Sequence, residues 1–311
     1  MLLYALALSC ITTVLPAQLK DYSFKVDSVL NLMTLQEKVG QMIQYSNNKL
    51  LTGPALDSSN RTEEIKRGEV GSVFNIITVE RAKQYQDLAM QSRLRIPLLF
   101  GLDVLHGLKT IFPIPLAEAA SFDLDLMRKT ASVAAAETSS LGIHWTFAPM
   151  VDISRDARWG RSMEGAGEDT WYGSQVAKAR IEGFQGSNYD EKRTVLACAK
   201  HFAAYGAAVG GRDYAEVDIS GHTLLQVYLP PFRAAVEAGV ATFMNAFNEI
   251  NGIPATAHKV LQRDLLKGEW GFKGFVVSDW GSVGEIAKHR MAKDNKDAGR
   301  LATIAGCDMD M

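Results

Sequence analysis

The feature that most constrains the fold is an alternation of short apolar runs with helix-like segments. Seven runs have the length and composition of buried strands, at residues 70–77, 97–103, 144–151, 195–202, 241–247, 275–279 and 305–309. Three helical segments between them have clear ends, at residues 123–141, 169–185 and 220–238, each followed by a glycine. Strands alternating with helices predict an α/β fold, and here a (β/α)8 barrel of the TIM type in regular, irregular or incomplete form.

Two local signals refine this prediction. Thr34 and Glu37 form a capping-box sequence, and the helix it begins carries apolar residues at helical spacing on one face: Leu35, Val39, Met42 and Ile43. Pro230 and Pro231 are expected to kink the helix at 220–238. No GxGxxG sequence opens a helix, which argues against a dinucleotide-binding fold.

The charge balance argues against nucleic acid as a partner. The 311 residues include 33 Lys and Arg against 35 Asp and Glu, a net charge of −2, with no clustered basic stripe. The three cysteines, Cys10, Cys198 and Cys307, form no CxxC pair and no zinc-site spacing. We therefore expect a protein without a metal site or a cofactor.

The N-terminal segment has the character of an address signal. Residues 1–19 carry no charge and contain a long apolar run, and Ala17 offers a small residue for cleavage. This predicts a signal peptide at residues 1–19 and a secreted or periplasmic bacterial protein, although a basic start is absent. A membrane-anchored start or a lipoprotein cysteine at Cys10 is the weaker interpretation. No other segment is long and apolar enough to span a bilayer, so we expect no membrane span in the mature chain.

Polar side chains follow several of the apolar runs, where a barrel carries its site. Carboxylates and cations can bind sugar hydroxyls, and an aromatic ring can pack on the apolar face of a sugar. The sequence therefore predicts a sugar site at the barrel mouth. The residues expected there are Asp103, Arg161, Lys200, His201, Asp279 and Trp280.

The motifs around these residues occur in the order MTLQEKVGQM (33–42), PLLFGLDVLHG (97–107), APMVDISRDARWGRSMEGAGED (148–169), AKHFAAYG (199–206), FMNAFNEINGIPATA (243–257), GFKGFVVSDWGSV (271–283) and AGCDMDM (305–311). In this order they resemble glycoside hydrolase family 3, specifically the N-terminal catalytic barrel domain of its β-glucosidases. The resemblance covers nearly the whole chain after the leader, so residues 20–311 are expected to form one such domain.

The resemblance implies a retaining, exo-acting β-glucosidase that removes terminal non-reducing β-D-glucosyl residues from oligosaccharides. Asp279 would be the catalytic nucleophile, since a carboxylate at a strand end can attack an anomeric carbon and form a glycosyl-enzyme. The other side chains would bind substrate: Asp103, Arg161, Lys200, His201 and Trp280.

Each of these residues also has a structural interpretation. Asp279 could cap the next helix, Asp103 could close a turn, and Trp280 could belong to the core. Arg161 could join an ion-pair network under the mouth, a role that suits Arg155 and Arg158 better.

The sequence does not identify the proton donor. A retaining glycosidase needs a second carboxyl group roughly 5–5.5 Å from the nucleophile. In the family's multidomain β-glucosidases a following domain supplies it, so we expect a C-terminal domain of the same polypeptide to be absent from this chain. The family's single-domain N-acetylhexosaminidases place a histidine and an aspartate after the KHF motif, and residues 203–214 do not match that loop. Phe247 stands where some relatives have a tyrosine, which removes one polar contact to the nucleophile.

Three hypotheses follow. The first is a retaining β-glycosidase acting on an oligosaccharide or β-glucoside, with β-xylosidase or β-N-acetylhexosaminidase as alternatives within the family. The second is a non-catalytic sugar-binding fragment of such an enzyme. The third is an unrelated barrel enzyme that uses Lys200 as an amine nucleophile.

Overall fold

Strands and helices alternate along the chain in a computed structural model that describes residues 22–47, 61–187 and 191–311. The predicted leader lies outside these residues. The strands are β1 (Gln44–Ser46), β2 (Ser72–Phe74), β3 (Leu99–Leu102), β4 (Trp145–Thr146), β5 (Cys198–Phe202), β6 (Thr242–Asn245), β7 (Glu249–Ile250), β8 (Ile253–Pro254) and β9 (Phe275–Val277).

The α-helices are α1 (Ser23–Leu32), α2 (Leu35–Gly40), α3 (Thr62–Arg67), α4 (Val79–Ala89), α5 (Pro115–Ala119), α6 (Leu124–Ser140), α7 (Thr170–Gln185), α8 (Gly221–Thr223), α9 (Pro230–Glu237), α10 (Ser282–Lys288) and α11 (Asn295–Ala305). Two π-helices span Leu224–Tyr228 and Val260–Glu269. A short 3-10 helix, Ser162–Glu164, follows β4.

The strands form a ring of parallel segments. One sheet has the order β1-β2-β3-β4 and a second has the order β5-β6-β9, all parallel. Isolated parallel bridges join the two sheets, from Trp145 to Leu196, from Val277 to Met309 and from Ile43 to Asp310. The residues around Met309 thus complete an eight-membered ring within the described parts of the chain. This is a TIM-type barrel in irregular form, as predicted.

Six of the seven predicted runs contain a strand of the ring. The seventh, 305–309, was wrong in part, because α11 continues to Ala305 and Gly306 ends it in a left-handed conformation at φ 115°. Pairing begins after this turn, at Met309 and Asp310. The sequence pattern missed β1, whose residues Gln-Tyr-Ser carry no apolar run.

The three predicted helices form with the expected ends. Asp123 caps α6 by accepting a hydrogen bond from the backbone N–H of Leu126 at 2.9 Å, and Asp169 caps α7 in the same way. The segment 220–238 is divided, with α8 and a π-helix before the prolines and α9 beginning at Pro230. Proline lacks the N–H that would continue the regular hydrogen-bond pattern. The segment therefore bends at Leu229, whose backbone stays in the right-handed helical region at φ −85° and ψ −26°, and the predicted kink is confirmed.

The first predicted helix is shorter than expected. Its capping box is confirmed, since Thr34 Oγ1 accepts from Glu37 N and Glu37 Oε2 accepts from Thr34 N at 2.8 Å. The predicted apolar face is wrong, because α2 ends at Gly40, and Leu35 and Val39 are 71% and 47% exposed. Within the described ranges, no helix combines the length and apolar character needed to cross a membrane.

The core has two layers, and the strands alternate between them. Val73 on β2 packs in a cluster that includes helix residues such as Ile181 and Phe232. The next residue, Phe74, packs in a second cluster with Trp145 and strand residues across the ring. Trp145 Nε1 donates to Thr242 Oγ1 at 2.8 Å, so the fully buried indole of this second cluster has a polar partner. The helices cover the ring outside, and polar residues after the strands meet at one end.

Candidate active site

Asp279 lies two residues after β9 and is 8% exposed. Its Oδ1 accepts a hydrogen bond from the backbone N–H of Trp280 at 2.7 Å. Its Oδ2 is buried and has no hydrogen-bond partner in the described parts of the chain. The carboxylate does not cap the following helix, because Gly281 holds the N-cap position of α10. One carboxylate oxygen is therefore held by the backbone and the other is free for another contact.

Burial raises the pKa of Asp279 to about 6, against the opposing effect of Arg161 and Lys200. The two cations lie close enough to favour the charged form but do not cancel the cost of burial. At pH 7 a carboxyl group with this pKa is ionised in a ratio of about ten to one. The group is therefore mainly a carboxylate near neutral pH.

His201 is fully buried at the end of β5 and is oriented by Asp152. The backbone N–H and the Nδ1 atom of His201 each lie 2.9 Å from Asp152 Oδ2. Burial lowers the pKa of His201 and raises the pKa of Asp152 to about 7. A neutral imidazole that donates from Nδ1 to Asp152 leaves its Nε2 as an acceptor. This Nε2 lies 3.6 Å from Asp279 Oδ2 and has no other partner in the described chain.

Lys200 is held by Asp103 at the mouth. Lys200 Nζ lies 2.8 Å from Asp103 Oδ1, and the two side chains are 4% and 46% exposed. Burial acts to lower the pKa of Lys200, but Asp103 outweighs it, and the pKa is raised. The ammonium is thus charged, and the half-exposed Asp103 keeps free acceptor sites toward solvent.

Arg161 forms a bidentate salt bridge with Glu164. Its Nε and Nη2 donate to the two carboxylate oxygens at 2.6 and 2.9 Å. The guanidinium also lies over the ring of Tyr205, 5.6 Å from its centre. Arg158 instead forms an ion pair with Asp156 at the surface, at 2.6 Å.

Aromatic residues surround these charges. The ring of Trp280 packs edge-on against Phe74 at 5.0 Å, so part of its surface belongs to the core. Its Nε1 is buried without a partner in the described chain. Phe247 packs on Tyr205 and Tyr214 at 5.9 and 4.5 Å and offers no hydroxyl.

The structure brings the predicted residues together. Arg161, Lys200 and Asp103 all affect the pKa of Asp279, and His201 and Trp280 contact it directly or follow it in the chain. No group of three or more His, Cys, Asp or Glu residues suited to a metal ion occurs within the described ranges. The arrangement can bind a polar, neutral ligand and place one free carboxylate oxygen against it.

Sequence reasoning missed three residues near this site: Tyr205, Tyr214 and Glu285. Tyr205 donates to Asp213 Oδ1 at 2.5 Å in the loop after β5. Glu285 on α10 has a buried Oε2 without a partner in the described chain, and burial raises its pKa. Burial raises the pKa of Tyr214, and Glu285 and Asp279 raise it further, which places both carboxylates within electrostatic reach of that hydroxyl. A carboxylate one helical turn past the DW motif was the available signal for Glu285.

A parallel ring with charged residues at its strand ends defines a TIM-barrel protein whose candidate site lies at the mouth of the barrel. Residues 34–311 match the glycosyl hydrolase family 3 N-terminal domain, and the chain belongs to this family.

Relatives of the chain include β-glucosidases and a β-xylosidase. It is 45% identical over 287 residues to a periplasmic β-glucosidase of Salmonella typhimurium, covering 92% of this chain and 37% of that protein. It is 37% identical over 274 residues to a β-xylosidase of Formosa agariphila, covering 83% of this chain and 38% of that protein. The crystal structure of a β-glucosidase from Listeria innocua in complex with isofagomine superposes with a TM-score of 0.88 at 42% identity, covering 94% of this chain and 41% of that chain. The chain thus spans about two fifths of the length of these relatives.

Proposed function

We propose that the protein is a retaining, exo-acting β-glycosidase of the β-glucosidase type, with Asp279 as its nucleophile. The observation that carries the proposal is the buried Oδ2 of Asp279, which has no hydrogen-bond partner among the described residues and lies within the electrostatic reach of two cations, Arg161 and Lys200. A carboxylate of this kind suits nucleophilic attack, because it is charged near pH 7 and no hydrogen bond occupies the attacking oxygen. The β-glucosidase and β-xylosidase names of the relatives support the substrate class.

In the first step, Asp279 Oδ2 attacks the anomeric carbon of a terminal β-glucosyl residue. The new carbon–oxygen bond forms as the bond to the leaving oxygen breaks, and a general acid supplies a proton to that oxygen. In the second step water attacks the same carbon, Asp279 leaves as a carboxylate, and the acid group now accepts the proton from water. The configuration is retained, since two displacements occur.

The remaining predicted residues would hold the sugar. Asp103 accepts hydrogen bonds from hydroxyls, and Lys200, which it pairs at 2.8 Å, donates to them. His201 Nε2 accepts from a hydroxyl placed near Asp279, and Arg161 is positioned by Glu164 to donate. Trp280 provides an apolar wall. These roles are part of the proposal.

We consider two sources for the general acid. The first is a C-terminal domain of the same polypeptide, expected from the family's multidomain β-glucosidases. The second is Glu285, whose raised pKa favours the protonated form that a general acid needs. Glu285→Gln separates them. If Glu285 is the acid, cleavage of unactivated glucosides falls far more than cleavage of aryl glucosides with good leaving groups.

The alternatives make distinct demands on the site. A β-xylosidase is favoured by the Formosa agariphila relative, and comparing glucosides with xylosides decides it. An amine nucleophile at Lys200 is disfavoured, because Asp103 keeps the ammonium charged.

We further propose that residues 1–19 are a signal peptide, that residues 20–311 form the barrel domain, and that the protein is periplasmic or secreted, in keeping with the periplasmic relative.

The test is intact-mass spectrometry after incubation with 2-deoxy-2-fluoro-β-glucosyl fluoride, followed by peptide mapping. Fluoride leaves with little protonation, so labelling does not depend on the general acid. We expect one glycosyl adduct on the peptide that contains Asp279, no adduct in Asp279→Asn, and an unchanged adduct in Asp264→Asn. Asp264 is a matched control, since it is 49% exposed and pairs with Lys259 on the surface. An adduct that persists in Asp279→Asn would refute the proposal, and sugar binding without any adduct would favour a non-catalytic sugar-binding fragment.

A further inference from the structure

A groove lies between the chain around α5 and the start of α7, separate from the mouth. Its volume is about 570 Å³, and it is lined in part by Phe122, Trp171, Tyr172, Glu168 and Asp169. This volume lies within the range of small-molecule sites. None of the proposed catalytic or sugar-holding residues lines the groove.

Exposed aromatic rings form its walls. Phe122 is 75% exposed and Trp171 is 71% exposed, although burial of such rings would stabilise the fold. Tyr172 is fixed, since its hydroxyl donates to the carbonyl of Ala119 at 2.7 Å and its ring lies 4.9 Å from that of Phe122. Phe122 has a φ of 54°, a left-handed conformation that is strained for a large side chain. The backbone thus presents an aromatic ring to solvent at a cost.

Hydrogen-bond acceptors lie beside these rings. Glu168 makes no hydrogen bond or ion pair with any residue that the structure describes. Asp169 uses Oδ1 to accept the backbone N–H of Tyr172 at 2.6 Å. Aromatic faces beside free carboxylate oxygens suit a polyol with one apolar C–H face and several hydroxyl donors, and this is the surface of a pyranose ring.

The groove also shares a segment with the mouth. Arg161 and Glu164 stand at the mouth, and three residues further along the same segment line the groove: Ala166, Glu168 and Asp169. The short helix Ser162–Glu164 packs on α5, and α5 contributes Leu116 and Ala119 to the groove. One structural unit therefore carries both surfaces.

We propose that this groove is a second carbohydrate-binding site, which holds internal glucosyl residues of a β-glucan chain. Trp171 and Phe122 pack on the C–H faces of the sugar, and Glu168 accepts hydrogen bonds from its hydroxyls. The class of ligand rests on the function proposed above. The site would keep the enzyme close to a polymeric substrate while chain ends are cleaved at the mouth.

The test is electrophoresis through gels containing soluble β-glucan, using the whole chain and three variants. Trp171→Ala removes an exposed ring, and Phe122→Gly removes the other while accommodating the positive φ. Phe24→Ala is the matched control, because Phe24 is an exposed ring on α1, outside the groove. We expect Trp171→Ala and Phe122→Gly to weaken retardation about tenfold in apparent affinity. Phe24→Ala should leave retardation unchanged, and all three variants should label with the fluorosugar at the rate of the parent protein.

The two proposals fail separately. Loss of retardation in Trp171→Ala without fluorosugar labelling of any form would support the groove and refute the glycosidase. Normal labelling with full retardation in both groove variants would overturn the groove. Calorimetric binding of tetramethylammonium that Trp171→Ala abolishes, without retardation by glucan, would replace the carbohydrate site with an organic-cation site.

Discussion

Asp279→Asn should make the folded protein more stable at neutral pH. Burial raises the pKa of this carboxyl from 3.8 to about 6, with Arg161 and Lys200 already counted. That difference corresponds to about 3 kcal/mol of destabilisation when the group is ionised in both the folded and the unfolded states. Asparagine keeps the Oδ1 that accepts the Trp280 N–H but carries no charge, so the variant avoids this cost.

The sign of the pH dependence follows from linkage. A carboxyl group whose pKa rises on folding binds its proton more tightly in the folded state, so its contribution to stability falls as pH rises from about 4 to about 6. The gain from Asp279→Asn should therefore be about 3 kcal/mol at pH 7.5 and about 1 kcal/mol at pH 4.5. In a domain of this size the larger value raises the melting temperature by roughly 5–10 °C.

Urea unfolding of both proteins at the two pH values measures this effect. Asp264→Asn serves as the control and should change stability little at either pH, because this carboxylate is exposed. An Asp279→Asn variant no more stable than the parent protein would refute the reasoning. A gain of equal size at pH 4.5 and pH 7.5 would also refute it, since it could not arise from ionisation.

Three further predictions concern the charges and the core. The rate of fluorosugar labelling should reach half its maximum near pH 6, and Lys200→Met should move this midpoint upward, because Lys200 lowers the pKa of Asp279. An unchanged midpoint would contradict the proposed proximity of Lys200 to Asp279. Asp103→Asn should weaken the binding of a competitive sugar inhibitor by about tenfold or more, since it removes a charged acceptor. It should also move the labelling midpoint downward, because Asp103 raises the pKa of Asp279. An unchanged inhibition constant would exclude Asp103 from sugar binding. Thr242→Val should destabilise the protein by about 1–3 kcal/mol in urea unfolding, because it leaves the buried Nε1 of Trp145 without its partner; a neutral effect would show that another group satisfies this indole.

The barrel could be predicted because its signal is local. Six apolar runs contain strands of the ring, and α6 and α7 begin and end within one residue of the predicted segments. The strand β1 escaped prediction because it is short and polar, with Gln44 held by a side-chain bond to Ser72 on the neighbouring strand. Its place in the ring depends on pairing with residues far along the chain, which no local pattern encodes.

The candidate site could also be predicted only in part from the sequence. Asp103 and Asp279 follow strands and Lys200 lies within β5, so the barrel itself brings them together. The contact between His201 and Asp152 joins residues 49 positions apart and depends on the orientation of two buried side chains. The position of Glu285 after the DW motif was visible in the sequence, but its distinguishing property is a buried and unpaired oxygen, which depends on how the side chain packs.

The charges at the mouth explain why Asp279 keeps a raised pKa beside two cations. Each cation has a carboxylate of its own, with Lys200 bound to Asp103 and Arg161 bound to Glu164. Asp279 therefore experiences their positive potential without a direct ion pair, and burial still dominates its pKa. A direct pair with either cation would lower the pKa further but would occupy the oxygen proposed to attack and reduce its basicity. Ionising Asp279 therefore lowers the stability of the fold, because its carboxylate is buried without a direct ion pair. The same arrangement leaves one carboxylate oxygen charged and free to attack.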